Sequence, residues 1–372
     1  MITTDILIIG AGAAGLMCAA TAGYRGKSVV VVDMGKKPGR KILISGGGRC
    51  NFTNENASPE NYVCQNPHFI KSALSRYSAQ DFIELIERHG VNFHHKTLGQ
   101  LFCDDSAQDI VDVLMTECDW AGVEVKMRNE VLSVTKIATG YQVKTNETNY
   151  SCTSLVIASG GLTMPKLGAS PIGYKIAEQF DLKVLPTTAA LVPFTLHEHD
   201  KSRFDGLSGI SVFTEVSSDS GETFKENILF THRGLSGPAI LQISSFWQAG
   251  QAVTINLLPD HNLSETINDW RQHQAQKSVK NLLSTLLPKR FIECLIESND
   301  IPDKAVNQLN HAEIQAIHNF LHAWQIKPNG TEGYRTAEVT LGGVDTNELS
   351  SKTFEAKKRE GLYFIGEVID VT

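Results

Sequence analysis

The chain has 372 residues, enough for two or three domains, and its 41% apolar and 20% charged residues are ordinary for a water-soluble globular protein. A formal net charge of −7 argues against a nucleic-acid partner, and no apolar run is long enough to span a membrane. Seven scattered cysteines without a CxxC argue against a disulfide framework or a zinc site and fit reduced thiols in a cytoplasm.

Thr4–Asp33 reads as strand, glycine turn, helix and second strand. Ile6–Ile9 leads into Gly10, Gly12 and Gly15 at GxGxxG spacing, with Ala13 and Ala14 between them, and Val29–Val32 ends in Asp33. Ile6–Ile9 is too short for a signal peptide, and Asp5 precedes it. In this motif the glycines allow a tight turn, a close approach to a pyrophosphate and close helix–strand packing. The helix N-terminus offers N–H groups to the phosphates. Asp33 stands 18 residues after Gly15, where a carboxylate accepts from a ribose diol.

A basic loop follows, Lys36, Lys37, Arg40 and Lys41, of which Arg40 and Lys41 are the better cofactor contacts. Next comes a second glycine-rich loop, Ser45, Gly46, Gly47, Gly48, Arg49, Cys50 and Asn51, whose backbone a ligand can touch directly. Residues 66–90 are predicted helical, with Phe82, Leu85 and Ile86 on one face and Gly90 as the stop; Asp109–Trp120 is a second helix. Strands follow over 123–137, 140–146 and 150–161, the last running into Ala158, Ser159, Gly160 and Gly161. From about Leu191 short β-rich pieces predict a small antiparallel sheet or barrel, and 263–326 switches to helical periodicity. Thr336–Asp345 holds another Gly-Gly that includes Gly343. The final strand, Leu362–Ile365, leads into Gly366, Glu367 and Asp370.

Taken in order, GxGxxG, GRKILISGGGRCNFTN, VIASGG, LFTHRGLSGPAIL, TLGGV and GLYFIGEVIDVT resemble the BaiN/YhiN-type flavoproteins over nearly the whole chain. The resemblance implies an α/β fold: a Rossmann-like, fumarate-reductase-like FAD-binding domain (1–190 and 335–372), interrupted by a β-barrel-like insertion (191–262) and a helical one (263–334). It implies FAD on Gly10–Gly15, with Asp33 on the adenosine ribose and Val131 near the adenine. Ser45–Asn51 would lie near the ribityl chain and flavin. Ala158–Gly160 and Gly343 would line the dinucleotide, and Gly366, Glu367 and Asp370 would hold the pyrophosphate or ribityl end. Two departures stand out. Ser159 replaces a more usual threonine but keeps the hydroxyl. Family members also continue past Asp-Val-Thr with a glycine-rich turn and a helix facing the flavin; a chain without that segment is expected to hold FAD less tightly.

The activity this implies is that of a cytoplasmic FAD-dependent oxidoreductase. NADH or NADPH would bind transiently, since no second GxGxxG is present, and hydride would pass through flavin N5 to a small enone-like organic acceptor lying between the flavin domain and the insertion. The partners are then a small-molecule substrate, with no nucleic acid, membrane or metal. His232, in Thr231-His232-Arg233-Gly234, is a candidate proton donor, since histidine titrates near neutral pH; it equally suits a turn before Gly234. Arg233 fits a solvated arginine better than an anion anchor, and Cys50 fits packing better than redox chemistry. Two alternatives stay open: a flavin-dependent oxidase of a small amine such as aminoacetone, and a flavin-binding partner protein with no turnover.

Overall fold

Ile6–Ile9 forms the end of strand β1 (Ile2–Ile9), and Val29–Val32 lies in β2 (Val29–Asp33). The two pair in parallel, from Ile6 opposite Val29 to Ile9 opposite Val32. The computed structural model describes residues 1–372. Its main sheet adds β3 (Glu124–Met127), β4 (Val131–Ile137), β5 (Gly140–Thr145), β6 (Asn149–Ile157) and β7 (Leu362–Phe364). The order is β3-β2-β1-β6-β5-β4, with β7 also on β6. β6 is shared: Asn149–Cys152 pairs antiparallel with β5, and Leu155–Ile157 pairs parallel with β7. Strands from the two ends of the chain thus meet in one sheet.

Alternate residues of these strands feed two cores. Ile8, Val29 and Val31 pack against helices α1 (Ala13–Tyr24) and α2 (Gln108–Trp120) through Leu16, Ala19, Ile110 and Leu114. Leu7, Ile9, Val30 and Val32 face the opposite core with Tyr141, Tyr150, Tyr174 and Phe364. Parallel strands covered on both faces explain why Ile6–Ile9 and Val29–Val32 are unbroken apolar runs. These elements belong to a unit made of Met1–Thr188 and Val339–Thr372. The helix read over 66–90 is two pieces, Lys71–Leu74 and Ala79–Arg88. Ser78 restarts it with a capping box, exchanging bonds with Asp81.

The second unit is Ala189–Glu338. Its seven-stranded sheet runs in the order Trp324–Ile326, Val253–Asn256, Ser211–Ser218, Thr223–Phe230, Gly234–Ser236, Phe194–Thr195, Gly330–Thr331. Helices Leu263–His273, Val279–Leu283, Lys289–Glu297 and His311–His322 share one core with these strands. Phe230 of the sheet touches Phe291 of a helix at 5.3 Å between ring centroids, with Trp324 beside both. Sheet and helices each bury one apolar face, and here they bury it against each other. No helix in the chain is long and apolar enough to cross a membrane.

His322, in the last turn of helix His311–His322, sets a pH dependence in this unit. Its Nδ1 lies 3.0 Å from Asn256 Oδ1, and its Nε2 is buried without a partner. Burial, then the neighbouring His318 and His261, hold its pKa below the ordinary histidine value. On acidification the unfolded chain takes up the proton before the folded one, so stability is full above the ordinary pKa and falls as pH drops below it. The unfolding free energy from denaturant titration is expected to decline between about pH 7.5 and about pH 5.5, with a shallower decline in His322→Gln.

Candidate functional site

β1 stops at Ile9, and the chain turns at Gly10 with φ +117°, a conformation glycine adopts without strain. A Cβ at Gly10 would also lie 2.3 Å from the Ala158 carbonyl oxygen, and one at Gly15 would lie 1.9 Å from the Gly10 carbonyl oxygen. Gly12 differs, because a Cβ there would meet nothing within 4 Å. Gly12 is the N-cap of α1 and supplies no side-chain cap. The leading N–H groups of α1 are therefore available to an anion.

Asp33 closes β2 beside this turn. Its Oδ2 accepts from the Ala11 N–H at 2.9 Å, and its Oδ1 accepts from the Gly35 N–H at 2.6 Å and from Arg40 at 3.3 Å. A carboxylate offers about four lone-pair sites, so acceptor capacity is left for a hydroxyl.

Two cavities meet here. One, of about 310 Å³, is lined by Gly10, Gly12, Ala13, Ala14, Asp33, Arg40, Lys41, Ala158, Ser159, Gly160, Gly366 and Glu367, among others. The other, of about 350 Å³, is lined by Met34, Asn129, Val131, Leu132 and Lys175, and shares Gly10, Asp33, Ser159 and Gly168 with the first. Each is within the range of ligand sites. Met34 and Leu132 are 47% and 54% exposed, which leaves apolar surface for a flat ring to cover. Ser159 Oγ and Asn129 Oδ1 are buried without a partner in the same walls. A helix N-terminus with free N–H donors, a carboxylate with spare acceptor capacity and a half-apolar annex are the features that a dinucleotide-binding crevice combines.

The C-terminal segment completes the first cavity. The Lys41 ammonium donates to Thr163 Oγ1 at 2.6 Å and to Glu367 Oε2 at 2.9 Å, while Glu367 Oε1 accepts from the Thr340 N–H at 2.7 Å. Gly366 lies over α1, where a Cβ would stand 2.7 Å from that of Ala14. Thr163 and Thr340 carried no signal in the sequence, because their role exists only once residues 41 and 367 are neighbours.

Other expected residues lie outside these walls. Gly15 packs behind the turn. Gly46 and Gly47 adopt left-handed φ, and Arg49 and Asn51 are exposed. Cys50 is 5% exposed, and burial pushes its thiol up. Asp370 is buried, accepts from the Gln65 N–H at 2.9 Å, and has its carboxyl pushed up by burial. Gly343, at φ +127°, makes room for the Val368 carbonyl. His232 belongs to the second unit, where it is exposed on the rim of a cavity of about 90 Å³ with Lys201, Asp205 and Ser208. Its neighbour Arg233 pairs with Glu332 at 3.3 Å.

The family description "HI0933-like protein Rossmann domain" matches residues 4–372. The chain belongs to the HI0933-like family. Its architecture is the Rossmann-like FAD-binding fold that the motifs implied. This HI0933-like chain is 58% identical over 368 residues, 99% of its length and 92% of the other's, to an Escherichia coli protein named "Ribosomal RNA dihydrouridine synthase". A Haemophilus influenzae protein of the same name is 51% identical over 99% of this chain and 93% of that one. Among solved structures, the 3-ketosteroid-delta4-(5alpha)-dehydrogenase of Rhodococcus jostii RHA1 superposes with a TM-score of 0.51 at 16% identity. It covers 99% of this chain and 91% of that one, which is a likeness of fold.

The two named relatives overturn two expectations. A small organic acceptor does not fit them, and neither does amine oxidation or a flavin-binding partner without turnover. The exclusion of nucleic acid falls as well. A net charge of −7 is a sum over the whole chain, whereas phosphates respond to local charge within about a Debye length. The acids of one face do not cancel lysines and arginines on another.

Proposed function

We propose that this chain is a flavin-dependent ribosomal RNA dihydrouridine synthase, which reduces the C5–C6 double bond of a uracil base. The observation that carries this reading is the 58% identity to the Escherichia coli relative across nearly all of both chains. The two joined cavities, a trough along the ends of β1 and β2, support it by offering contacts for a pyrophosphate, a ribose and a flat ring. FAD bound there would supply the hydride for C6, replenished from NADH or NADPH.

The residues have separable tasks. The N–H groups that follow Gly12 take the pyrophosphate, and Asp33 accepts from the adenosine ribose. Val131, Met34 and Leu132 cover the adenine. The Lys41–Glu367 pair fixes the C-terminal wall, and Ser45–Asn51 serves the flavin end with Arg49 and Asn51. Asp370, which accepts from the Gln65 N–H, ties the C-terminal segment to the loop at residue 65. The proton for C5 would come from a general acid, for which His232 of the second unit is the candidate read from the sequence. A ribosomal RNA substrate places the work in the cytoplasm.

The test is nucleoside mass spectrometry of ribosomal RNA from cells with and without the gene, followed by treatment of the unmodified RNA with purified protein, FAD and NADH or NADPH. A nucleoside heavier than uridine by two hydrogen atoms is expected only with the enzyme. Identical nucleoside profiles in both strains, with no product in vitro, would overturn the reading. His232→Asn is expected to slow turnover by about a hundredfold with FAD affinity unchanged, the size of one lost general acid. Unchanged turnover would assign His232 to its turn alone.

A further inference from the structure

At the opposite end of α1 from the glycine turn lies a groove of about 610 Å³ that none of the chemistry above uses. Its floor is apolar, with Met17, Ala20 and Leu85. Three aromatic side chains stand in its walls unusually bare: Trp120 is 68% exposed, Tyr24 54% and Tyr77 40%. Trp120 stacks on His89 at 5.2 Å and 20° between planes, which covers one face of the indole. Glu117 accepts from Tyr24 Oη at 2.9 Å and lies 2.7 Å from His89 Nε2. Both aromatics are thus pinned beside a carboxylate. Asp81 and Glu84 add two more acids, and Arg88 is the only Lys or Arg in the lining.

We propose that this groove between α1, Ala79–Arg88 and α2 binds an arginine-rich peptide segment of a partner protein. Exposed aromatics serve either nucleic-acid bases or cations. The charges decide between them. Three carboxylates against one guanidinium repel a phosphate backbone and attract a cationic chain. Guanidinium groups also stack flat on Trp and Tyr faces while donating to carboxylates, a pairing that an ammonium group matches less well. The apolar floor accepts the aliphatic stems. A ribosomal substrate, if the reaction proposed above is right, comes with basic proteins of this chemistry, but the groove and its test do not depend on that reaction.

The full chain is titrated with a synthetic nonapeptide rich in arginine, with its lysine counterpart, and with a single-stranded oligoribonucleotide, reading tryptophan fluorescence and calorimetry. Saturable binding of the arginine peptide is expected, tighter than that of the lysine form. Trp120→Ala and Glu84→Lys should each weaken it by about tenfold, the scale of one desolvated cation–aromatic contact. Asp219→Lys makes the same charge change in the second unit and should leave binding within about twofold. All three substituted positions are exposed, so folding is preserved. Binding that follows net charge alone, with Asp219→Lys as damaging as Glu84→Lys, would overturn the proposal. So would Trp120-dependent binding of the oligoribonucleotide in place of the peptide, or no saturable binding.

Discussion

Gly12→Ala is expected to fold like the parent and to lose FAD, while Gly15→Ala fails at both. Gly12 has extended backbone, φ −88° and ψ −174°, which alanine adopts freely, and its Cβ meets no protein atom. The helix loses about 0.5–1 kcal/mol from the poorer N-cap. The added methyl instead stands where a pyrophosphate must approach the backbone, so FAD affinity should fall by at least about a hundredfold, by analogy with other lost charge-assisted contacts. At Gly15 the methyl would drive into the Gly10 carbonyl from within a helix, and both the turn and the packing on β1 must shift. Overpacking of this kind costs about 1–3 kcal/mol. The measurements are thermal unfolding without added flavin, because bound ligand raises the midpoint, and a flavin fluorescence titration. Full FAD affinity in Gly12→Ala would mean that no phosphate sits at that turn.

Phe291→Ala should give the largest loss of stability in the chain, about 3–5 kcal/mol. Phe291 is fully buried, and its ring meets Phe230 and Trp324. Phe291 sits on a helix, Phe230 on the sheet and Trp324 on the strand that follows the helices. The cavity left by alanine thus removes contacts from both kinds of element at once. Far-ultraviolet circular dichroism and tryptophan fluorescence should report one shared transition at a lower denaturant concentration. Helices melting first, with the sheet unmoved, would show that the second unit is two cooperative blocks.

The parts of the trough that could be read in advance were those fixed by local geometry. A turn that must bend at Gly10, spare Gly12 and pack at Gly15 imposes its spacing on adjacent residues, so GxGxxG and Asp33 carry the message within one βαβ unit. The Lys41–Glu367 pair could not be read this way, since its members are far apart in sequence and only the parallel pairing of β7 with β6 brings them together. The same holds for Tyr24, Tyr77 and Trp120, which come from α1, the bend before Ala79–Arg88 and α2, with no shared period. The continuous helix over 66–90 was misread despite a visible signal: Ser78 followed by Asp81 three residues on is a capping box, and it starts a helix rather than continuing one. The partner was misread because a sum of charges holds no information about where they lie.

The place of β7 in the main sheet has a consequence for how the protein is made. During translation β1, β2 and β6 can assemble early, but the Leu155–Ile157 edge stays bare until Leu362–Phe364 emerges, and an open strand edge is a site for stray pairing. Gly366 and Glu367 close the trough later still. Cofactor capture therefore waits until Gly366 and Glu367 have emerged, and until Leu362–Phe364 pairs, that edge has no flavin-bound fold to shield it.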